Sequence, residues 1–147
     1  MNATVIIPSL NPDEKIISTV KSLIDEGFDD IVLVDDGSDE EHKARFEEAK
    51  ALGNVTLLVH EVNKGKGRAM KTAFEYILEN RPNKPNVITV DGDGQHLATD
   101  VKNVSKSSRK TLTRLFSACV ISAEKTFPQD QNSEMSAPKW FSDFFAE

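Results

Sequence analysis

The sequence predicts an α/β fold on a mostly parallel sheet, and three observations carry that expectation. Four short apolar runs, Thr4 to Ile7, Ile31 to Val34, Val55 to Val59 and Val87 to Val90, have the length and composition of buried strands. Stretches with apolar residues at helical spacing separate them, and such alternation implies right-handed crossovers and parallel pairing. Polar clusters follow the runs: Pro8 to Glu14, Asp35 to Ser38, Asn63 to Arg68, and Asp91 to Gln95. Parallel strands would gather these clusters at one sheet edge, where open α/β sheets bind nucleotides.

After the first strand, Asn11 is placed to cap a helix, with Pro12 in its first turn and Glu14 completing a capping-box-like pattern. Ile16, Ile17, Val20, Leu23 and Ile24 then recur at helical spacing, and Gly27 stops the helix before the second strand. Ser38 and Glu41 have the spacing to open a second helix, whose apolar face of Ala44, Phe46, Ala49 and Leu52 is weaker. Gly65 and Gly67 loosen the chain before a third helix, from about Arg68 to Glu79, with Met70, Ala73, Phe74, Ile77 and Leu78 on one face and Pro82 and Pro85 ending it. Thr99 or Asp100 would cap a short helix containing Val101 and Val104.

Beyond Val104 the alternation fades. Leu112, Leu115, Phe116 and Val120 fit one helix face, and Trp140, Phe141, Phe144 and Phe145 form an aromatic terminal patch. A poorly packed end and a membrane or partner contact both account for that patch.

A chain of 147 residues makes about one domain. The formal net charge of -6 argues against a general nucleic-acid binder, which needs a basic face. The single cysteine, Cys119, excludes an internal disulfide and makes a thiolate metal cluster implausible. No apolar stretch approaches the roughly 20 residues that cross a bilayer, and the N-terminus lacks a basic-then-apolar signal, so a cytoplasmic location is expected.

The chemistry-bearing pair is Asp91 and Asp93 around Gly92, directly after a buried strand. Paired carboxylates hold a hard cation through oxygen and leave coordination positions for substrate phosphates, whereas an Asp-Gly turn alone would need no ligand. Of Asp35 and Asp36, one carboxylate is placed to accept a hydrogen bond from a base or ribose and the other to brace the loop; helix capping is the plainer alternative. An Asp pair at a strand end also occurs in phosphorylatable receiver domains, but the third strand here ends Val59-His60-Glu61 without the nucleophilic aspartate. Lys64, Lys66, Arg68 and Lys71 make a basic block suited to a diphosphate, or simply a solvated helix start. His96 beside the acidic turn is read as a structural hydrogen-bonding residue before a ligand, and His42 and His60 have no evident partners.

Together the segments Val5 to Asn11, Val34 to Ser38, Asn63 to Ala69 and Asp91 to His96 resemble family 2 glycosyltransferases of GT-A fold, especially polyprenyl-phosphate sugar transferases. The resemblance spans about residues 4 to 104, the donor-binding half of such an enzyme, and implies a three-layer GT-A-like fold, truncated. It places Pro8 and Leu10 against the nucleotide base, Asp36 on base or ribose, Lys66 and Arg68 with the nucleotide sugar, and Asp91 and Asp93 on Mg2+ or Mn2+, with Gln95 in the same metal shell. The family usually has an aromatic residue where Leu10 stands and Glu where Pro12 stands; Asp13 or Glu14 would have to replace that carboxylate.

The implied reaction is inverting transfer of a sugar from a UDP- or GDP-linked donor to an acceptor, expected to be a polyprenyl phosphate reached at the cytoplasmic membrane face. Residues 1–104 are thus expected to be the nucleotide-sugar-binding half, and residues 105–147 a divergent tail and no separate domain. Permitted codons for Lys110 to Pro128, read one base earlier, give a strand-like and family-like continuation, so an out-of-frame tail and an inactive fragment are expected. A non-catalytic nucleotide-sugar binding module is the second reading. A sugar-phosphate nucleotidyltransferase is the third, weakened because Pro8 to Asn11 replaces its glycine-rich loop.

Overall fold

The structure, a computed structural model, describes residues 3–81, 86–94, 98–107 and 119–122. Among these residues, strands β1 (Ala3–Ser9), β2 (Ile31–Asp35), β3 (Val55–Val59), β4 (Asn86–Thr89) and β5 (Cys119–Ser122) form one sheet in the order β3-β2-β1-β4-β5. β1 pairs in parallel with β2 and β4, and β2 with β3, while β5 runs antiparallel to β4. Helices α1 (Lys15–Asp25), α2 (Glu40–Ala51), α3 (Lys66–Asn80) and α4 (Ala98–Ser107) alternate with the strands, as the periodicity predicts. The chain leaves β1 toward β2 and β3, then crosses back through α3 to β4 on the other side of β1. That reversal creates a switch point beside β1, at the carboxyl ends of the strands.

Side chains alternate across each strand, so one strand feeds two cores. Val5 and Ile7 of β1, Ile31 and Leu33 of β2, and Ile88 of β4 join Ile16, Val20 and Leu23 of α1, Phe46 and Ala49 of α2 and Val101 of α4. Ile6, Val32, Val34 and Val87 point the other way, onto Ala69, Ala73, Phe74 and Ile77 of α3. Ile6 and Ile7 are both fully buried, each worth about 2–3 kcal/mol of transfer free energy. Continuous apolar runs follow from this arrangement, because both faces of the central strands are covered.

Helix ends depart from the sequence expectation. Asn11 does not cap α1, which starts only after Glu14 and has no side-chain cap. Asn11 has φ +46 and instead bridges to the next loop: its amide donates to Asp39 Oδ2 at 2.9 Å, and its Oδ1 accepts the Asp39 N–H at 2.8 Å. Ser38 likewise leaves the cap of α2 to Asp39 and uses its hydroxyl oxygen to accept the Asn11 N–H. Gly27 stops α1 as expected, in a Schellman turn with Phe28 N–H on Leu23 O and Gly27 N–H on Ile24 O.

Ala44 and Leu52 are exposed and only Phe46 and Ala49 of the predicted α2 face are buried; Leu78 of α3 is exposed as well. Each of these two helices buries a stripe narrower than its apolar content. Val120, placed on a helix by spacing, lies in β5, where the β-branched pair Val120-Ile121 suits extended backbone. Leu112, Leu115, Phe116, the terminal aromatic residues, Pro82, Pro85 and the out-of-frame reading of the tail fall outside the described residues.

At the opposite end of the sheet from the switch point, Asp30 is buried and accepts from the Thr4 hydroxyl at 2.9 Å and from Arg81 Nε at 3.2 Å. Burial works against the Arg81 charge, but Asp30 and then Tyr76 outweigh it and hold the guanidinium above its usual range. Arg81 also lies over the Tyr76 ring, 5.5 Å from its centre. The end of α3 is thereby tied to β1 and to the start of β2.

Candidate functional site

All four strand-end clusters contribute to one cavity of about 520 Å3. Pro8 to Asp13 enter from the end of β1, Asp36 from the end of β2, Asn63, Gly65, Lys66 and Ala69 from the β3–α3 connection, and Asp91 to Asp93 from the end of β4. Of the candidate residues, Pro8, Leu10, Asp13, Asp36, Lys66, Asp91 and Asp93 line it. Arg68 is an exposed residue of α3 that does not, and Gln95 and His96 lie outside the described residues.

The two aspartates after β2 divide their work. Asp35 is buried and its Oδ1 accepts the Ser38 N–H at 2.8 Å, which braces the turn; Asp36 lines the cavity. Gly37 is required between this turn and the next loop. It has φ +80, and a Cβ there would sit 2.3 Å from the backbone of Val62 and of Asn63. The close approach that a residue without a Cβ allows accompanies the bond from the Lys64 N–H to Asp36 Oδ1 at 3.0 Å.

Asp36 has a second partner that the sequence did not reveal. His60 Nδ1 lies 2.7 Å from the same Oδ1, and His60 Nε2 lies 2.9 Å from Thr72 Oγ1 on α3. His60 is the first residue beyond β3, ahead of the Asn63 to Arg68 cluster that the sequence marks as that strand's contribution. Asn63, which opens that cluster, also lines the cavity.

The electrostatic balance of the cavity is acidic. Asp13, Asp36, Asp91 and Asp93 line it against the ammonium of Lys66. Lys66 Nζ donates to Asp91 Oδ1 at 2.5 Å, with the lysine more exposed than the aspartate. Asp13 is partly engaged at the start of α1, where its Oδ1 accepts the Lys15 N–H at 2.9 Å. A bare diphosphate would meet net repulsion here, and a divalent cation would reverse the balance.

The donor set fits a hard cation of the magnesium type. Asp91 and Asp93 offer carboxylate oxygens on one rim, and such ions are commonly held by one or two carboxylates, with phosphates and waters completing the shell. No group of three or more His, Cys, Asp or Glu side chains with metal-binding geometry occurs among the described residues. A cation here would therefore depend on substrate oxygens for much of its coordination.

Comparison with known proteins decides the ancestry. The model of glycosyl transferase family 2 matches residues 4–145. The chain belongs to glycosyl transferase family 2. An uncharacterized protein of Methanocaldococcus jannaschii is 39% identical over 102 residues, covering 69% of this chain and 40% of that protein. The UDP-N-acetylglucosamine--dolichyl-phosphate N-acetylglucosaminyltransferase of Methanococcus voltae is 33% identical over 112 residues, covering 67% and 44%. The mannosyltransferase PcManGT of Pyrobaculum calidifontis, solved with GDP-Man and Mn2+, superposes with a TM-score of 0.54 at 22% identity, covering 69% of this chain and 31% of that one.

The fold is thus that of the GT-A glycosyltransferases, as the strand-end motifs imply. The chain spans less than half the length of these curated relatives. No helix among the described residues is long and apolar enough to cross a membrane.

Proposed function

We propose that this family 2 chain carries the donor-binding half of a metal-dependent inverting glycosyltransferase, which takes a nucleoside-diphosphate sugar and passes the sugar to a polyprenyl phosphate. The observation that carries this reading is the convergence of Asp36, Lys66, Asp91 and Asp93 on one cavity at the sheet's switch point. Residues 1–104 supply this half, with Pro8 and Leu10 beside the base, Asp36 on base or ribose, and Asp13 in place of the carboxylate lost at Pro12. Lys66, with Arg68 behind it, faces the diphosphate. Asp91 and Asp93 would hold Mg2+ or Mn2+, with Gln95 as a further oxygen donor. Bound there, the ion would offset charge developing on the departing diphosphate.

The polyprenyl-phosphate acceptor is supported by similarity to a relative whose name specifies dolichyl phosphate. A lipid phosphate brings its own anionic oxygen, so attack requires no strong general base from the protein. Such an acceptor would also make the enzyme peripheral at the membrane face. Holding the donor in line for that attack is the task of the loop cradle.

Calorimetric titration with UDP-glucose and GDP-mannose, with and without Mn2+, tests this. Manganese-dependent binding of at least one donor, lost in Asp91→Ala and Asp93→Ala, is the expected result. Absent or metal-independent binding refutes the site. Binding without transfer to a polyprenyl phosphate would favour a nucleotide-sugar binding module.

A further inference from the structure

We infer that His60 is a positioning residue that restricts Asp36 to a single free acceptor, and that the cavity consequently selects a base presenting one hydrogen-bond donor, a uracil-type imide, over guanine. The inference rests on the donor-site reading above and specifies which nucleotide that site takes.

A carboxylate oxygen offers two in-plane lone-pair positions. Both positions on Asp36 Oδ1 are taken, one by His60 Nδ1 at 2.7 Å and the other by the Lys64 N–H at 3.0 Å. Oδ2 makes no hydrogen bond to a described residue, and Asp36 lines the cavity. The ligand therefore meets one acceptor oxygen.

The brace behind Asp36 is well anchored. The side chains of His60 and Asp36 are 6% and 4% exposed, and a carboxylate only accepts, so the imidazole hydrogen sits on Nδ1. His60 Nε2 meets the Thr72 hydroxyl at 2.9 Å, which fixes the ring to α3, and the His60 N–H bonds Asp35 O at 2.8 Å, which fixes its backbone to β2. Rotating the carboxylate to present both oxygens would break the His60 and Lys64 contacts together.

Bases differ in what they bring to such an oxygen. Guanine carries adjacent N1–H and N2–H donors, a fork that matches both oxygens of a carboxylate. Here the second donor would point at a saturated Oδ1 and lose its partner on desolvation. Uracil and thymine carry one imide N–H between two carbonyls, which Oδ2 satisfies completely. Discrimination by one unpaired buried donor is about tenfold or more.

The test is calorimetric titration of the full chain with UDP and GDP in saturating Mn2+, for the wild type, His60→Asn and His60→Leu. Wild type is expected to bind UDP at least about tenfold more tightly than GDP. His60→Asn, whose amide N–H replaces Nδ1–H, should keep that ratio, and His60→Leu should lower it at least about threefold by releasing one position on Oδ1. A residue with a merely structural role would weaken both nucleotides together and leave the ratio unchanged. Equal or tighter binding of GDP by wild type overturns the inference while leaving the donor-site reading intact, as does an unchanged ratio in a folded His60→Leu. If His60→Leu does not fold, the wild-type and His60→Asn ratios decide. Binding of neither nucleotide overturns the inference and the donor-site reading together.

Discussion

Replacing Gly37 by alanine isolates the contact that holds two rims of the cavity together. Gly37 has φ +80, and its missing Cβ would stand 2.3 Å from Asn63 N and from the Val62 carbonyl carbon. The left-handed backbone alone costs an alanine about 1–2 kcal/mol. A backbone atom at 2.3 Å cannot stay, because real Cβ contacts lie beyond 3.0 Å, so the Val62-Asn63 segment must retreat. That movement pulls the Lys64 N–H away from Asp36 Oδ1, a charge-assisted bond worth about 1.5–3 kcal/mol. The sum is about 2.5–5 kcal/mol of lost stability.

Two other glycines calibrate the reasoning. Gly27 has φ +92 with nothing within 4 Å of a built Cβ, so Gly27→Ala should cost only the backbone component of about 1–2 kcal/mol. Gly92 has no positive φ, and its Cβ would make ordinary contacts at 3.4 Å with Ile7 and Ser9, so Gly92→Ala should fall within about 0.5 kcal/mol of wild type. Urea denaturation of the three variants, read with nucleotide titration in Mn2+, checks the order. If Gly37→Ala is no less stable than Gly27→Ala and binds nucleotide normally, the two loops are not in the contact described.

Arg81→Met should destabilise by about 3 kcal/mol in urea denaturation, because Asp30 is 1% exposed and loses its charge partner while keeping Thr4. Against the opposing effect of burial, Asp30 and then Tyr76 hold the Arg81 guanidinium above its usual range, so its stabilisation is fully present while the group stays charged and is lost only in strongly alkaline solution; the stability difference between wild type and Arg81→Met should not narrow as pH rises from 7 to 10. Lys66→Met should tighten Mn2+ binding in the absence of nucleotide by about two- to fivefold, since the exposed ammonium that competes for Asp91 is worth about 0.5–1 kcal/mol. Electron paramagnetic resonance of free Mn2+ measures this, and unchanged or weaker binding refutes the competition. Lys43→Met, which removes an exposed pair with Glu40 on α2, should leave the midpoint of the same urea assay indistinguishable from wild type.

What the sequence made legible, and what it hid, follows from how each residue is held. Strand positions and the gathering of the loop clusters were readable because buried parallel strands need unbroken apolar runs, and their ends are marked by abrupt polarity, as at Val90-Asp91. The helix starts were misread at Asn11 and Ser38 because capping residues are also loop-bridging residues. Which partner they choose depends on a neighbouring loop far along the chain, here Asp39 for Asn11 and Asn11 for Ser38.

His60 was invisible for the same reason. Nothing local pairs it with Asp36 or Thr72; β2 and β3 must first lie side by side and α3 must pack over them. Gly37 sits between these cases: the glycine was visible, but its necessity arises from the Val62-Asn63 backbone. Local pattern therefore supplies the carboxylates, and tertiary contact decides which of their oxygens remain available. For Asp36, that second decision sets what the cavity can recognise.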